Sequence, residues 1–253
     1  MPSTNDKDPT PPPPEAWEHA PTLETVPAPE EPALISDGGG LPFEPVRVMG
    51  SPAPLDPADR AVAALLVQID RGRQQAQPTR LFRPKAKPAP MAIAEKLAGW
   101  RELARTDDEV LFGRGTPQQL LTVAARRGMR NRWSPLGASN ARPLRAVRDG
   151  VRASSWRLDP SSEPRADQHE LRILVTERTM ASGTPAAGRL LSPDLYLGEQ
   201  RVVLRFYVRP IEGYVGRAGK PGKHETPVIV RLPEPLGNRQ LLDGALYEPA
   251  SER

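Results

Sequence analysis

The 253-residue chain contains no cysteine, which excludes disulfides, thiolate nucleophiles and every zinc site built on sulfur. Histidine is nearly as scarce, with only His19, His169 and His224. None stands at metal-ligand spacing from another, so neither a metal nor any other cofactor is expected. The sequence has no G-x-S-x-G elbow, Walker loop or dinucleotide fingerprint. Gly113-Arg114-Gly115, ahead of Thr116-Pro117, reads as a plain turn rather than a phosphate cradle. These absences point to a non-enzymatic protein. No apolar run is long enough to span a bilayer, so membrane insertion is not expected. The opening Met-Pro-Ser-Thr-Asn-Asp-Lys-Asp lacks the basic and apolar regions of a signal peptide, and cytoplasmic residence is the expectation.

Proline and charge are what the chain does have. Fifteen of its 32 prolines fall within residues 1–60, where they remove backbone donors and break regular structure. Residues 1–55 are therefore expected to form a disordered, acidic, Pro-rich arm. Its Pro11–Pro14 run could serve as an SH3- or WW-type ligand, but a spacer is the commoner role. Charge is asymmetric. Residues 1–44 carry one lysine and nine acids, whereas residues 114–157 carry ten arginines against Asp149 alone. Either the basic segment meets a polyanion or the acidic arm folds back to screen it.

After the arm, residues 56–77 read as an isolated amphipathic helix. Asp56 is a suitable N-cap, Pro57 suits the first helical position, and Val62, Leu65, Leu66 and Ile69 repeat at helical spacing. The stripe either docks on the following domain or lies in a partner's groove. Residues 78–90 read as a basic, Pro-rich linker. A β-rich domain over residues 91–248 follows, opened by a second helix at 91–105.

From Thr116 the signals are β. The clearest is Arg201–Arg209, where Val202, Leu204, Phe206 and Val208 share one phase of a two-residue period and arginines dominate the other, so a half-buried strand with its arginines, Arg205 among them, in water is expected. Leu171, Ile173 and Val175 share a phase too, as do Val228, Val230 and Leu232. Other expected strands are Leu120–Arg126, Arg132–Leu136, Leu144–Arg148, Val151–Leu158 and Leu195–Leu197. Short strands at close spacing, with turn-formers between them, predict a mainly β fold: an antiparallel sandwich or barrel-like domain preceded by two short helices. Glu177 continues the inward phase and is expected to pair with an arginine, and Asp243 beside Gly244 is expected to cap a turn.

The segments Glu177–Gly183 and Lys220–Gly244, with their Glu-Arg…Ser-Gly and Pro-Leu-Gly-X-Arg…Leu-Asp-Gly patterns, resemble a β-rich domain of uncharacterised actinobacterial proteins, many of them secreted or lipid-anchored. The resemblance covers about residues 150–247. That family has no assigned activity, so the resemblance implies a β fold and no catalytic residue. The family's positions matching Met180 and Lys220 are commonly cysteines, which implies that these two residues lie close together and that the pair is dispensable in a reducing compartment.

The expected function is a protein-interaction or structural module within a larger assembly. Its partner would be another protein. The alternative is nucleic-acid binding through the Arg-rich segment, with Arg126, Arg127, Arg130, Arg132, Arg145, Arg148 and Arg152 meeting phosphates and Trp133 or Trp156 stacking on bases.

Overall fold

The structure, a computed structural model, describes residues 12–75, 91–140, 143–176, 186–211 and 225–247. Its helices are α1 (Glu15–Glu18), α2 (Val46–Met49), α3 (Arg60–Gln75) and α4 (Ile93–Leu97). The first strands are β1 (Thr22–Glu24), β2 (Val26–Pro27), β3 (Leu34–Ser36), β4 (Trp100–Arg105), β5 (Glu109–Arg114), β6 (Leu121–Arg127) and β7 (Trp133–Asn140). Those that follow are β8 (Arg145–Arg148), β9 (Val151–Leu158), β10 (Glu170–Thr176), β11 (Asp194–Leu197), β12 (Arg201–Tyr207), β13 (Glu225–Arg231) and β14 (Gln240–Asp243). The fold is mainly β, as expected. Among the described residues no helix is long and apolar enough to cross a membrane.

The chain divides into two compact units, one from residues 1–31 and 148–246 and one from 32–147 and 247–253. A single domain over 91–248 is therefore corrected: the division falls at Val147/Arg148.

The first unit is a mixed, near-closed barrel. β13 pairs antiparallel with β10, β10 with β9, β9 with β12 and β12 with β11. β1 then adds parallel to β13, with Thr22 opposite Ile229, and β2 adds parallel to β11, with Val26 opposite Asp194. Only Thr25 separates β1 from β2, so one chain segment joins the two edges of the sheet. Covering both edges in this way removes the exposed backbone donors and acceptors that invite aggregation. The interior is filled by the three phases read from the sequence, Leu171/Ile173/Val175, Val202/Leu204/Phe206/Val208 and Val228/Val230/Leu232.

The opposite phase of β12 differs from expectation. Arg201 and Arg209 are exposed, but Arg205 is only 3% exposed and Tyr207 1%. β12 lies in mid-wall, and its outer face is covered rather than wet. Arg205 donates to the carbonyls of Pro29, at 2.9 Å, and Glu30.

Over residues 12–55 the disordered arm is also corrected, and residues 1–11 lie outside the described residues. Trp17 of α1 is buried, with the Arg172 guanidinium 5.3 Å from its ring centroid, and residues 22–24 and 26–27 are strand. Proline is tolerated at strand ends and first helical turns, where its missing N–H is not needed. The sparse apolar residues between the prolines therefore suffice for short elements.

The second unit is the antiparallel sheet β4-β5-β6-β7 with a layer on each face. On one face, Val62 and Leu65 of α3, with Leu66 and Ile69, pack against Trp100, Phe112 and Val123. On the other lie Ile35, Phe43 and Val48, against Leu103, Leu111 and Ala124. β3 pairs antiparallel with β8 beside this second layer.

The helix expected at 56–77 is thus docked, not isolated. It starts at Arg60 because Asp59 caps it, accepting the Ala61 N–H at 2.7 Å. Asp56 instead closes the preceding turn on Ala58. The helix expected over 91–105 shrinks to α4. Gly99 adopts a φ of +76°, which ends the helix, and Trp100 and Leu103 then point to opposite faces of β4. The linker 78–90, Glu177, Met180 and Lys220 lie outside the described residues.

Candidate partner-binding groove

The arginines of 114–157 are divided between the two units. Arg126 and Arg127 sit on β6, where they meet acids on and beside the neighbouring β5: Arg126 binds Glu109 at 2.7 Å and Arg127 binds Asp108 at 2.8 Å. Arg145 is half-buried on β8, and Arg152 is half-buried on β9 in the other unit. Arg157 pairs with Glu225 at 2.5 Å. Three acids of the arm are likewise engaged: Glu24 with Arg231, Glu30 with Arg201, and Glu44 with Arg47.

Arg148 belongs to a largely buried cluster in the barrel. It binds Asp194 and donates to the Ser192 carbonyl at 2.8 Å, while Tyr207 donates its phenolic hydrogen to Asp194 at 2.9 Å. The Arg148 guanidinium also stacks 4.5 Å from the Tyr207 ring centroid. Burial, then the Asp194 charge, pushes the Tyr207 phenol far above its ordinary range, and burial lowers the Arg205 guanidinium. Perturbed groups of this kind can mark active sites. Here Tyr207 and Arg205 are closed off from solvent, and they are spent on Asp194 and on the Pro29 and Glu30 carbonyls. The arrangement holds the barrel wall to the segment that closes it. Trp156 is structural too, donating its indole N–H to the Leu204 carbonyl at 3.1 Å and meeting Phe206 edge-on.

Three of the residues singled out from the sequence do converge. Arg130, Arg132 and half-buried Trp133 line one wall of an open groove of about 760 Å³, between the β6–β7 turn and the outer face of α3. The other wall carries Arg60, Ala63, Ala64, Val67 and Arg71. This stripe runs at i, i+3, i+4, i+7 and i+11, beside the stripe docked on the sheet. Arg60 and Arg71 escaped the sequence reading because only the fold sets α3 against the β6–β7 turn. The helical spacing of the two arginines around small and apolar residues was the signal that could have found them.

None of the ion pairs among the described residues involves Arg60, Arg71, Arg130 or Arg132. All four are exposed. Between them the groove shows apolar surface, with Met129 93% and Val67 45% exposed. The turn itself is strained. Arg130 and Asn131 adopt φ of 60° and 56°, as in a type I′ hairpin turn, with the Gly128 N–H donating to the Arg132 carbonyl at 2.9 Å. Asn and Gly favour that geometry, whereas an arginine there carries a conformational cost.

Val62 and Leu65, read with Leu66 and Ile69 as a candidate partner helix, are buried inside the unit, and half-buried Leu66 and Ile69 pack against the same core. Among the described residues there is no cluster of three or more acids and histidines able to hold a metal ion. The chain matches no known family model, no curated protein and no solved structure.

Proposed function

We propose that the protein is a non-catalytic interaction module that engages an anionic partner through the groove between α3 and the β6–β7 turn. One observation carries this reading. Among the described residues, four exposed arginines without acidic partners flank a trough of mixed lining that includes exposed Val67 and Met129, while neighbouring Arg126 and Arg127 are neutralised by Glu109 and Asp108. Unpaired guanidinium groups around apolar surface suit a partner that brings charge and greasy contact together. The second reading, nucleic acid, rests on Trp133, whose ring could stack on a base. Cytoplasmic residence, with a cysteine-free chain in a reducing compartment, belongs to the same proposal.

A photo-crosslinking residue at position 129, compared with one at exposed Leu246 in the barrel unit, tests the module in native cells. A discrete crosslinked macromolecule is expected from position 129 and not from 246. Equal or absent crosslinking at the two positions overturns the proposal.

A further inference from the structure

We infer that the groove's occupant is an acidic amphipathic helix of another protein; the inference rests on the interaction reading above and gives its partner a chemistry. The α3 wall supplies the first argument. Arg60 and Arg71 are eleven residues apart, hence about 16 Å along the helix axis. Ala63, Ala64 and Val67 lie between them. Ala63 is exposed and small, and beside it Ala64 is buried against the sheet and adds no bulk, so a second helix can approach to the usual packing distance of about 8–10 Å. The cations at either end would then meet carboxylates about three turns apart on the incoming helix. Arg130 and Arg132 on the opposite wall would flank it, and exposed Met129, a side chain that adapts to irregular apolar surfaces, would cover its apolar stripe.

Nucleic acid fits this geometry less well. A phosphate backbone asks for continuous cationic lining with repeated aromatic platforms. Here the helix wall between the arginines is aliphatic, and Trp133 is the only aromatic in the lining. The local conformation also points to use. Arg60 occupies the first turn of α3, where the positive end of the helix dipole disfavours a cation, and Arg130 occupies a left-handed position that favours Gly or Asn. Two arginines thus stand where local stability would choose another residue, a pattern expected at functional surfaces.

The test uses the full chain and three labelled synthetic probes, read by fluorescence anisotropy. The first is a helix-forming peptide with glutamates about eleven residues apart and leucines on the same face between them. The second has the same composition, scrambled, and the third is a twelve-residue oligothymidylate. The first peptide should bind at least about tenfold more tightly than either of the others. Arg60→Glu and Arg132→Glu should each weaken it about tenfold.

Arg130→Gly keeps the inference falsifiable against folding defects. It should raise thermal stability by relaxing the turn, yet weaken the peptide severalfold. Equal binding of the scrambled peptide overturns the inference, because unpatterned charge then suffices. Preferential binding of the oligonucleotide assigns the groove to nucleic acid and also overturns it. Failure of all three probes rejects the helical occupant, whereas crosslinking at position 129 would still stand or fall separately.

Discussion

Tyr207 and Asp194 share a hydrogen bond of 2.9 Å inside the barrel wall, from the phenol to the carboxylate. Asp194 also receives Arg148, so deleting the phenolic hydroxyl leaves the carboxylate paired but short of one donor. Tyr207→Phe should therefore cost about 1–3 kcal/mol at neutral pH, measured by urea denaturation. The same pair fixes an alkaline response. Burial, reinforced by Asp194, raises the folded phenol's pKa, while the unfolded phenol ionises near about pH 10. The group's contribution is thus complete below that pH and is lost as pH rises above it, because ionisation then favours the unfolded chain. Above about pH 10 the wild-type protein should lose stability more steeply than Tyr207→Phe. Parallel slopes would refute the assignment.

Arg205 ties the barrel to its closing segment through the Pro29 and Glu30 carbonyls. Arg205→Leu should cost about 2–4 kcal/mol, and the loss should be local before it is global. Hydrogen exchange at β1 and β2 should accelerate more than exchange at β10. Uniform acceleration would mean that the arginine does not act as a latch.

Two glycines predict opposite signs. A Cβ on Gly244 would lie 2.8 Å from the Arg205 Cγ and collide with Val203, so Gly244→Ala should destabilise by about 1–3 kcal/mol. Gly72 lies inside α3 and a Cβ there meets nothing within 4 Å. Gly72→Ala should stabilise by about 0.5–1 kcal/mol through helix propensity. Differential scanning calorimetry of the two variants gives both signs.

Leu65 and Val67, two residues apart on α3, separate docking from recognition. Leu65 is fully buried and Val67 is 45% exposed. Leu65→Ala should cost about 2–5 kcal/mol in thermal or urea melts. Val67→Ala should stay within about 0.5 kcal/mol in the same measurement, while weakening the glutamate–leucine peptide.

The sequence carried the barrel's interior well because its three inward phases belong to strands with one apolar lining. It carried β5 poorly. Val110, Leu111 and Phe112 are buried on both faces, and a strand covered on two sides shows no alternation to detect. β1 and β2 were hidden for another reason: each pairs over only two or three residues, with partners far along the chain. Arg205 was misread because the period of two distinguishes faces but not what covers them. Charge counting found Arg130 and Arg132 in the groove and equally pointed to Arg126, Arg127 and Arg148, whose acidic neighbours lie on an adjacent strand, in the turn that leads into it, or on a strand far along the chain. A window of sequence records how many cations it holds, and the fold decides which stay unpaired.

The strand pair flanking Thr25 has a consequence for biosynthesis. Glu24 meets Arg231 across 207 positions of sequence, so β1 leaves the ribosome long before the strand it pairs with. At about 5–20 residues per second, that interval is on the order of ten seconds or longer. Until β11 and β13 have been synthesised, the nascent chain holds a seam with nothing to stitch, and the arrival of β13 becomes the step that lets the barrel close.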